Sequence, residues 1–254
     1  MPILELKNLS KQFGGVKAVE NLSLNFSAGQ ITALIGPNGA GKTTVFNLIG
    51  GLIRPDSGSI SFERKNLVGL TPWQIADRGI GRLFQDVRLF RKMTVLENVL
   101  TAYKFQQGES IWRALFAPWT EIKPEKERRK HAMDLLEKVG LAEKAESPSE
   151  KLSYGQQKLL AIARLLAADA KVLLLDEPTA GVNRVMIEEI LKTIQLLAQE
   201  GKTIVFVEHN MEVVRSLAQT VVFMITGRAT ASGTPDEVLS SSEVKTAYIG
   251  RVKC

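Results

Sequence analysis

Ile31-Thr32-Ala33-Leu34-Ile35-Gly36-Pro37-Asn38-Gly39-Ala40-Gly41-Lys42-Thr43-Thr44 decides the fold. The first five residues form a short, mainly apolar run that predicts a strand buried on both faces. Residues 36–43 match the phosphate-loop pattern G-x-x-x-x-G-K-[ST], and Thr43–Leu52 reads as a helix. Glycines at such a turn let backbone N–H groups point inward at phosphate oxygens, and the helix that follows aims its positive dipole end at the same place. Lys42 supplies an ammonium for the β- and γ-phosphates, and the Thr43 hydroxyl is a hard oxygen ligand suited to Mg²⁺. By chance the four fixed positions coincide in about one chain in a hundred of this length, given ordinary glycine usage. The flanking strand and helix reduce that chance further.

Outward from the loop the pattern is consistent. Ile3–Leu9 and Ala18–Phe26 alternate as strands of a sheet with one wet face, and Ser57–Phe62 reads as turn and strand. The stretch from Thr94 to Gly140 is mostly helical, with breaks at Gly108 and near Pro118 and Pro124. After Lys151, helices (Gly155–Ala168, Val185–Glu200, Met211–Ala218) alternate with buried strands (Val172–Leu175, Thr203–Val207, Val221–Ile225). Such alternation predicts a mainly parallel α/β core. The expected architecture is an α/β nucleotide-binding core (1–88 and 158–254) with an N-terminal antiparallel β subdomain, and a helical subdomain inserted at 89–157.

Composition narrows the class. With 44% hydrophobic and 24% charged residues in 254, the chain can bury a core without staples. No apolar run approaches the roughly 18 residues of a membrane span, and Met1–Glu5 lacks a basic stretch leading into an apolar one. The single cysteine, Cys254, fits a reducing compartment, so a cytoplasmic location is expected. The net charge of +6 suits a phosphorylated ligand, anionic lipid or nucleic acid. Its densest cluster, Lys126–Lys130, is interrupted by Glu127 and carries no interleaved aromatics, which reads as a solvated helix face and not a nucleic-acid module.

Three further sites gain meaning from the phosphate loop. Val172–Leu175 runs into Asp176 and Glu177. At a buried strand's end the first carboxylate can reach Mg²⁺ through water, and the second can act as general base; acids at strand ends also cap helices. His209 follows the apolar strand 203–207, where ligands of open α/β sheets bind, and an imidazole there can hydrogen-bond a γ-phosphate; a lone histidine is otherwise more often structural. Leu152-Ser153-Tyr154-Gly155-Gln156-Gln157 precedes a helix, and its serine hydroxyl and glycine amide make either a second anion site or a simple cap. Two phosphate-binding helix ends in one chain imply two nucleotides or two chains facing each other. Gln85 stands at the junction of core and insert.

These motifs, in this order and spacing, resemble the ATP-binding subunits of ABC transporters over nearly the whole chain. The resemblance implies that Phe13 stacks on adenine and that Gly36–Thr44 is the phosphate loop. It implies that Gln85 reaches Mg²⁺ and the attacking water, and that Leu152–Gln156, with Ser153, Gly155 and Gln156, is the signature motif. Asp176 and Glu177 become the metal-side and catalytic carboxylates, His209 the switch histidine, and Ala180–Asn183 a loop crossing a dimer interface. Tyr154, Asn183 and Phe13 replace the more usual Gly, Asp and Tyr.

Within the family the chain looks most like LivG-type ATPases of branched-chain and related amino-acid importers, from Leu152–Gln157, Ala180–Asn183, the extra stretch at 105–124 and Ala247–Gly250. That resemblance implies ATP and Mg²⁺ as cofactors. The implied partners are two membrane permease subunits, a second ATPase chain (a copy or a homologue) and a secreted or periplasmic solute-binding protein. It implies a peripheral location at the cytoplasmic face of the inner membrane. Urea or short amides are the alternative solutes. A DNA-repair or translation ATPase would need tandem or coiled-coil architecture, and a GTPase would need an Asn-Lys-x-Asp motif; neither is present. Trp112, Leu115, Phe116 and Trp119 fall on one face of a helix, which either packs on the helical subdomain or, with Val87 and Phe90, forms a groove for a permease helix.

Overall fold

The structure, a computed structural model, describes residues 2–103 and 122–249. Contacts divide the chain into two compact units. The first is drawn from Met1–Gln85, Lys171–Ala180 and Ile194–Cys254, the second from Asp86–Ala170 and Gly181–Thr193.

The first unit holds two sheets. Strands β1 (Pro2–Phe13) and β2 (Val16–Ser27) form an antiparallel hairpin around Gly14 and Gly15, joined on the β1 side by β4 (Ser57–Phe62) and a short β5 (Lys65–Asn66). The second sheet, six strands in the order β10-β9-β3-β8-β7-β6, contains β3 (Ile31–Ile35), β6 (Ile80–Leu83), β7 (Val172–Asp176), β8 (Thr203–Val207), β9 (Thr220–Ile225) and β10 (Arg228–Gly233). All its pairings are parallel except β10 on β9. Every residue of β3, β7 and β8 is buried, as the apolar runs require of a sheet covered on both faces. One face, with Leu34, Leu174, Val205 and Met224, shares a core with the antiparallel sheet (Leu4, Leu6, Phe26, Phe62) and with helix α1 (Lys42–Ile49) through Val45 and Phe46. Short helix α2 (Pro72–Asp77) leads into β6. Beyond the second unit's segments the chain continues with α7 (Met211–Leu217), α8 (Pro235–Ser240) and α9 (Ser242–Ile249).

The second unit contains α3 (Val95–Leu100), α4 (Ile122–Lys138), α5 (Tyr154–Ala167) and the first part of α6 (Arg184–Gln199). Helices α3 and α5 each start on a capping box, Thr94 with Glu97 and Ser153 with Gln156. Helix α5 packs on α3 and α4 with its buried Leu159, Leu160, Ile162 and Ala163. It therefore belongs whole to the helical unit, so the contacts do not break at the expected boundary of 157/158.

The α/β fold with its antiparallel and mainly parallel sheets is as expected, with β3, β4 and β8 at their expected limits. The first helix stops at Ile49 and not Leu52, because the chain turns at Gly50 and at Gly51, whose φ is 69°. Strands β6 and β10 are not among the expected elements: Ile80-Gly81-Arg82-Leu83 is four residues with a glycine and a charge, and Arg228–Gly233 is a polar edge strand. Trp112, Leu115, Phe116 and Trp119, the expected helix face, lie outside the described residues, as do Gly250 and Cys254.

Candidate active site

Five parallel strands direct their carboxyl ends to one edge of the sheet, and the candidate residues of the first unit other than Phe13 follow those ends. Leu34, Val207 and Asp176 stand side by side on β3, β8 and β7, and Leu175 stands beside Leu83 of β6. The phosphate loop leaves β3 at Gly36, Glu177 follows β7, His209 comes two residues after β8, and Gln85 two residues after β6.

The loop's glycines answer to tertiary contacts. Gly36 has φ 149°, and a Cβ there would come 2.1 Å from the Met224 carbonyl oxygen. Gly41, which starts α1, has φ 101°, and its Cβ would meet the Ala18 carbonyl oxygen at 2.2 Å. Behind them the Gly227 N–H donates to the Ala40 carbonyl at 3.0 Å, and the Glu20 N–H to the Gly227 carbonyl at 2.9 Å. Glu20 also receives Arg228 and Lys17, which pull its carboxyl from 4.5 down to about 2. No side chain caps α1 and no acid occupies its first turn, so the helix itself places no negative group at its positive end. The Lys42 ammonium folds back onto the loop, donating to the carbonyls of Gly36 (2.7 Å) and Pro37 (3.0 Å), and the residue is buried. Thr43 and Thr44 follow in the first turn.

Asp176 is buried at the end of β7 and paired with Arg82 of β6, Nη2 to Oδ2, at 3.0 Å. The other Arg82 nitrogen, Nη1, donates to Asn47 of α1 at 2.6 Å, and the guanidinium lies over the rings of Phe84 and Phe46. One arginine thus ties the phosphate-loop helix to the β7 carboxylate. Its Nε is buried without a hydrogen-bond partner among the described residues.

Glu177 adopts the left-handed conformation, φ 49°, at a cost of about 1–2 kcal/mol for a residue with a Cβ. Its N–H donates to the Val207 carbonyl at 3.0 Å. Its carboxylate meets His209 Nε2 at 3.1 Å, both side chains being partly open to solvent. Glu208, between β8 and His209, is buried and accepts from Thr179 and from the His209 N–H. Gln85 is exposed. Phe13, at the tip of the β1–β2 hairpin, is half exposed, with the Lys11 ammonium 5.4 Å from its ring centre.

In the second unit the Ser153 hydroxyl accepts the Gln156 N–H at 3.3 Å, while the Gln156 side chain accepts the Ser153 N–H at 3.1 Å and Lys144 at 3.0 Å. Gly155 is required by packing: a Cβ would lie 2.9 Å from both Val182 and Met186. The chain after Gln85 is pinned by Asn98, which exchanges hydrogen bonds with the backbone of Phe90, and by Arg164, which donates to the Arg88 carbonyl at 2.6 Å.

The family model described as ABC transporter matches residues 19–180. The chain belongs to the ABC transporter ATP-binding family. It is therefore a nucleotide-binding ATPase. It is 39% identical over 250 residues to the high-affinity branched-chain amino acid transport ATP-binding protein LivG of Salmonella typhimurium, covering 98% of each chain. Among solved structures it is similar to a nucleotide-free ATP-binding cassette of an ABC transporter (34% identity, TM-score 0.85, 98% of this chain and 100% of that one). It is also similar to the dimeric post-hydrolysis cassette MJ0796 bound to ADP and Pi (28% identity, TM-score 0.74, 91% and 98%). Among the described residues no helix is long and apolar enough to cross a membrane.

Arg82 and Glu208 are not among the residues the sequence singles out. Neither belongs to a local pattern; each is identified by what it touches across the sheet.

Proposed function

We propose that this cassette powers an importer of branched-chain or related amino acids, hydrolysing ATP for separate permease subunits from a peripheral position at the cytoplasmic face of the membrane. The observation that carries the reading is the gathering of loop, carboxylates and histidine at one sheet edge, with Glu177 3.1 Å from His209. The likeness to LivG supports the solute class.

In this reading the loop amides of residues 36–44 and Lys42 hold the phosphates, and Phe13 offers its face to adenine. Among the described residues no cluster of His, Cys, Asp or Glu could bind a metal alone. That fits Mg²⁺ arriving with the nucleotide, met by the Thr43 hydroxyl, Gln85 and, through water, Asp176. Bound there it would neutralise charge on the phosphate oxygens. Glu177 takes a proton from the water that attacks the γ-phosphorus, the bond to the ADP oxygen breaks, and ADP and phosphate leave. His209 hydrogen-bonds the γ-phosphate and orients Glu177. Ser153, Gly155 and Gln156 complete the site of a second chain, a copy or a homologue. A solute-binding protein delivers cargo to the permease.

Uptake of labelled leucine by cells carrying the chain with its permeases should fall to background with Glu177→Gln. Retained leucine uptake with loss of urea or amide uptake would transfer the reading to those solutes.

A further inference from the structure

We propose that Glu208 is a positioning residue for ATP hydrolysis, its carboxylate clamping the turn that carries Glu177 to the strand end that carries His209. This rests on the roles assigned above to those two residues.

Glu208 is 3% exposed, at the end of a strand whose five residues are all buried. A carboxylate in such a place persists only with its oxygens satisfied. Oε1 accepts both the N–H (2.9 Å) and the hydroxyl (2.5 Å) of Thr179, and Oε2 accepts the His209 N–H at 3.1 Å. Among the described residues its partners are all neutral donors, so it is no member of an ion-pair network. One oxygen faces the turn after β7, the other faces the backbone of His209. Two residues before Thr179, Glu177 sits at φ 49°. A left-handed residue of this kind persists only where its surroundings over-determine it. The surroundings here are two stitches to β8: Glu177 N–H to Val207, and Thr179 to Glu208.

The chemistry requires a carboxylate, and an amide of the same shape cannot replace it. Each oxygen receives a backbone N–H, which cannot turn away. A glutamine would present its NH₂ to one of them, donor against donor. The loosened side would be either the Glu177 turn or the His209 backbone. Either movement separates a pair now 3.1 Å apart. Misplacement by about 1 Å can cost 10²-fold in rate. Glu208 makes no hydrogen bond to the phosphate loop among the described residues, so nucleotide affinity should be spared.

The test is a double-mutant cycle on the full chain, with single-turnover hydrolysis and ATP affinity measured for the parent, Glu177→Gln, Glu208→Gln and the double variant. Glu208→Gln should lower the turnover rate by about tenfold or more with ATP affinity within about twofold. Added to Glu177→Gln it should cost less than about twofold more, because it acts through a base already removed. Turnover of Glu208→Gln near the parent's, or an equal loss in both backgrounds, would overturn the proposal. If Glu208→Gln does not fold, Thr179→Val and Thr179→Ser carry the test. Valine removes one donor and should slow turnover at unchanged affinity, whereas serine keeps both donors and should restore it; equal rates for the two would overturn the proposal. Near-normal turnover by Glu177→Gln alone would instead mean that the reading of Glu177 as base has failed.

Discussion

Two helices of this chain begin on residues that suit an anion, and they are built in opposite ways. Helix α1 starts at a left-handed glycine with no side-chain cap and no acid in its first turn. Its shape is imposed from outside, by Ala18, Met224 and the Gly227 turn. Helix α5 starts on a closed capping box in which Ser153 and Gln156 satisfy each other. The second end is complete as a piece of secondary structure. The first has no such closure of its own, and its geometry is held by the rest of the fold. Function at α1 is therefore expected to be sensitive to distant contacts, and function at α5 to the approach of another chain.

The largest effect should come from Arg82→Met. It removes the cation from buried Asp176 and the tie to Asn47 on α1. Breaking a buried pair from one side costs about 3–5 kcal/mol, with relief of the unpartnered Nε offsetting part. Thermal or urea unfolding should show this drop, and nucleotide binding should weaken with it. Next is Gly41→Ala, where a Cβ would meet the Ala18 carbonyl at φ 101°. We expect a loss of about 2–3 kcal/mol and of binding to a fluorescent ATP analogue. Unimpaired binding would remove the distinction between the two helix ends.

Ser153→Ala should cost only about 1 kcal/mol, the worth of an N-cap. ATP affinity of the single chain should be unchanged, while turnover falls because the second chain's site loses a donor. A fall in single-chain affinity would mean that both ends serve one nucleotide in one chain. The smallest effect concerns the exposed prop behind the phosphate loop. Arg228 first, then Lys17, lower the Glu20 carboxyl from 4.5 to about 2. A group depressed on folding stabilises above its unfolded value and loses that contribution as pH falls through its folded one. The melting-temperature gap between parent and Glu20→Gln should be small at pH 7 and close between about pH 4.5 and 2. A gap constant over that range would show that the pair does not titrate as described.

The same contrast explains what the sequence disclosed. Gly36–Thr43, Asp176, Glu177 and the Ser153 cap are runs of neighbours whose chemistry is local, so the sequence marks them as candidates, the last three once the phosphate loop is seen beside them. Strands β3 and β8 were equally plain, since burial on both faces leaves an unbroken apolar run. Arg82 and Glu208 were opaque for the opposite reason. Arg82 lies in a four-residue strand whose only signals are a glycine and a charge, and its partners are 35 and 94 residues away. Glu208 is 29 residues from Thr179. Their roles arise from parallel pairing, which brings β6, β7 and β8 into register only in the folded sheet.

The most direct test of the account is ATP binding and hydrolysis by Glu177→Gln, measured on the same preparation with Mg²⁺ present. Glutamine keeps the shape at the end of β7 and removes the base, so ATP should bind with parental affinity. Turnover should fall by about 10²–10⁴-fold, the usual cost of losing general-base catalysis. Turnover close to the parent's, with ATP bound normally, would contradict the account.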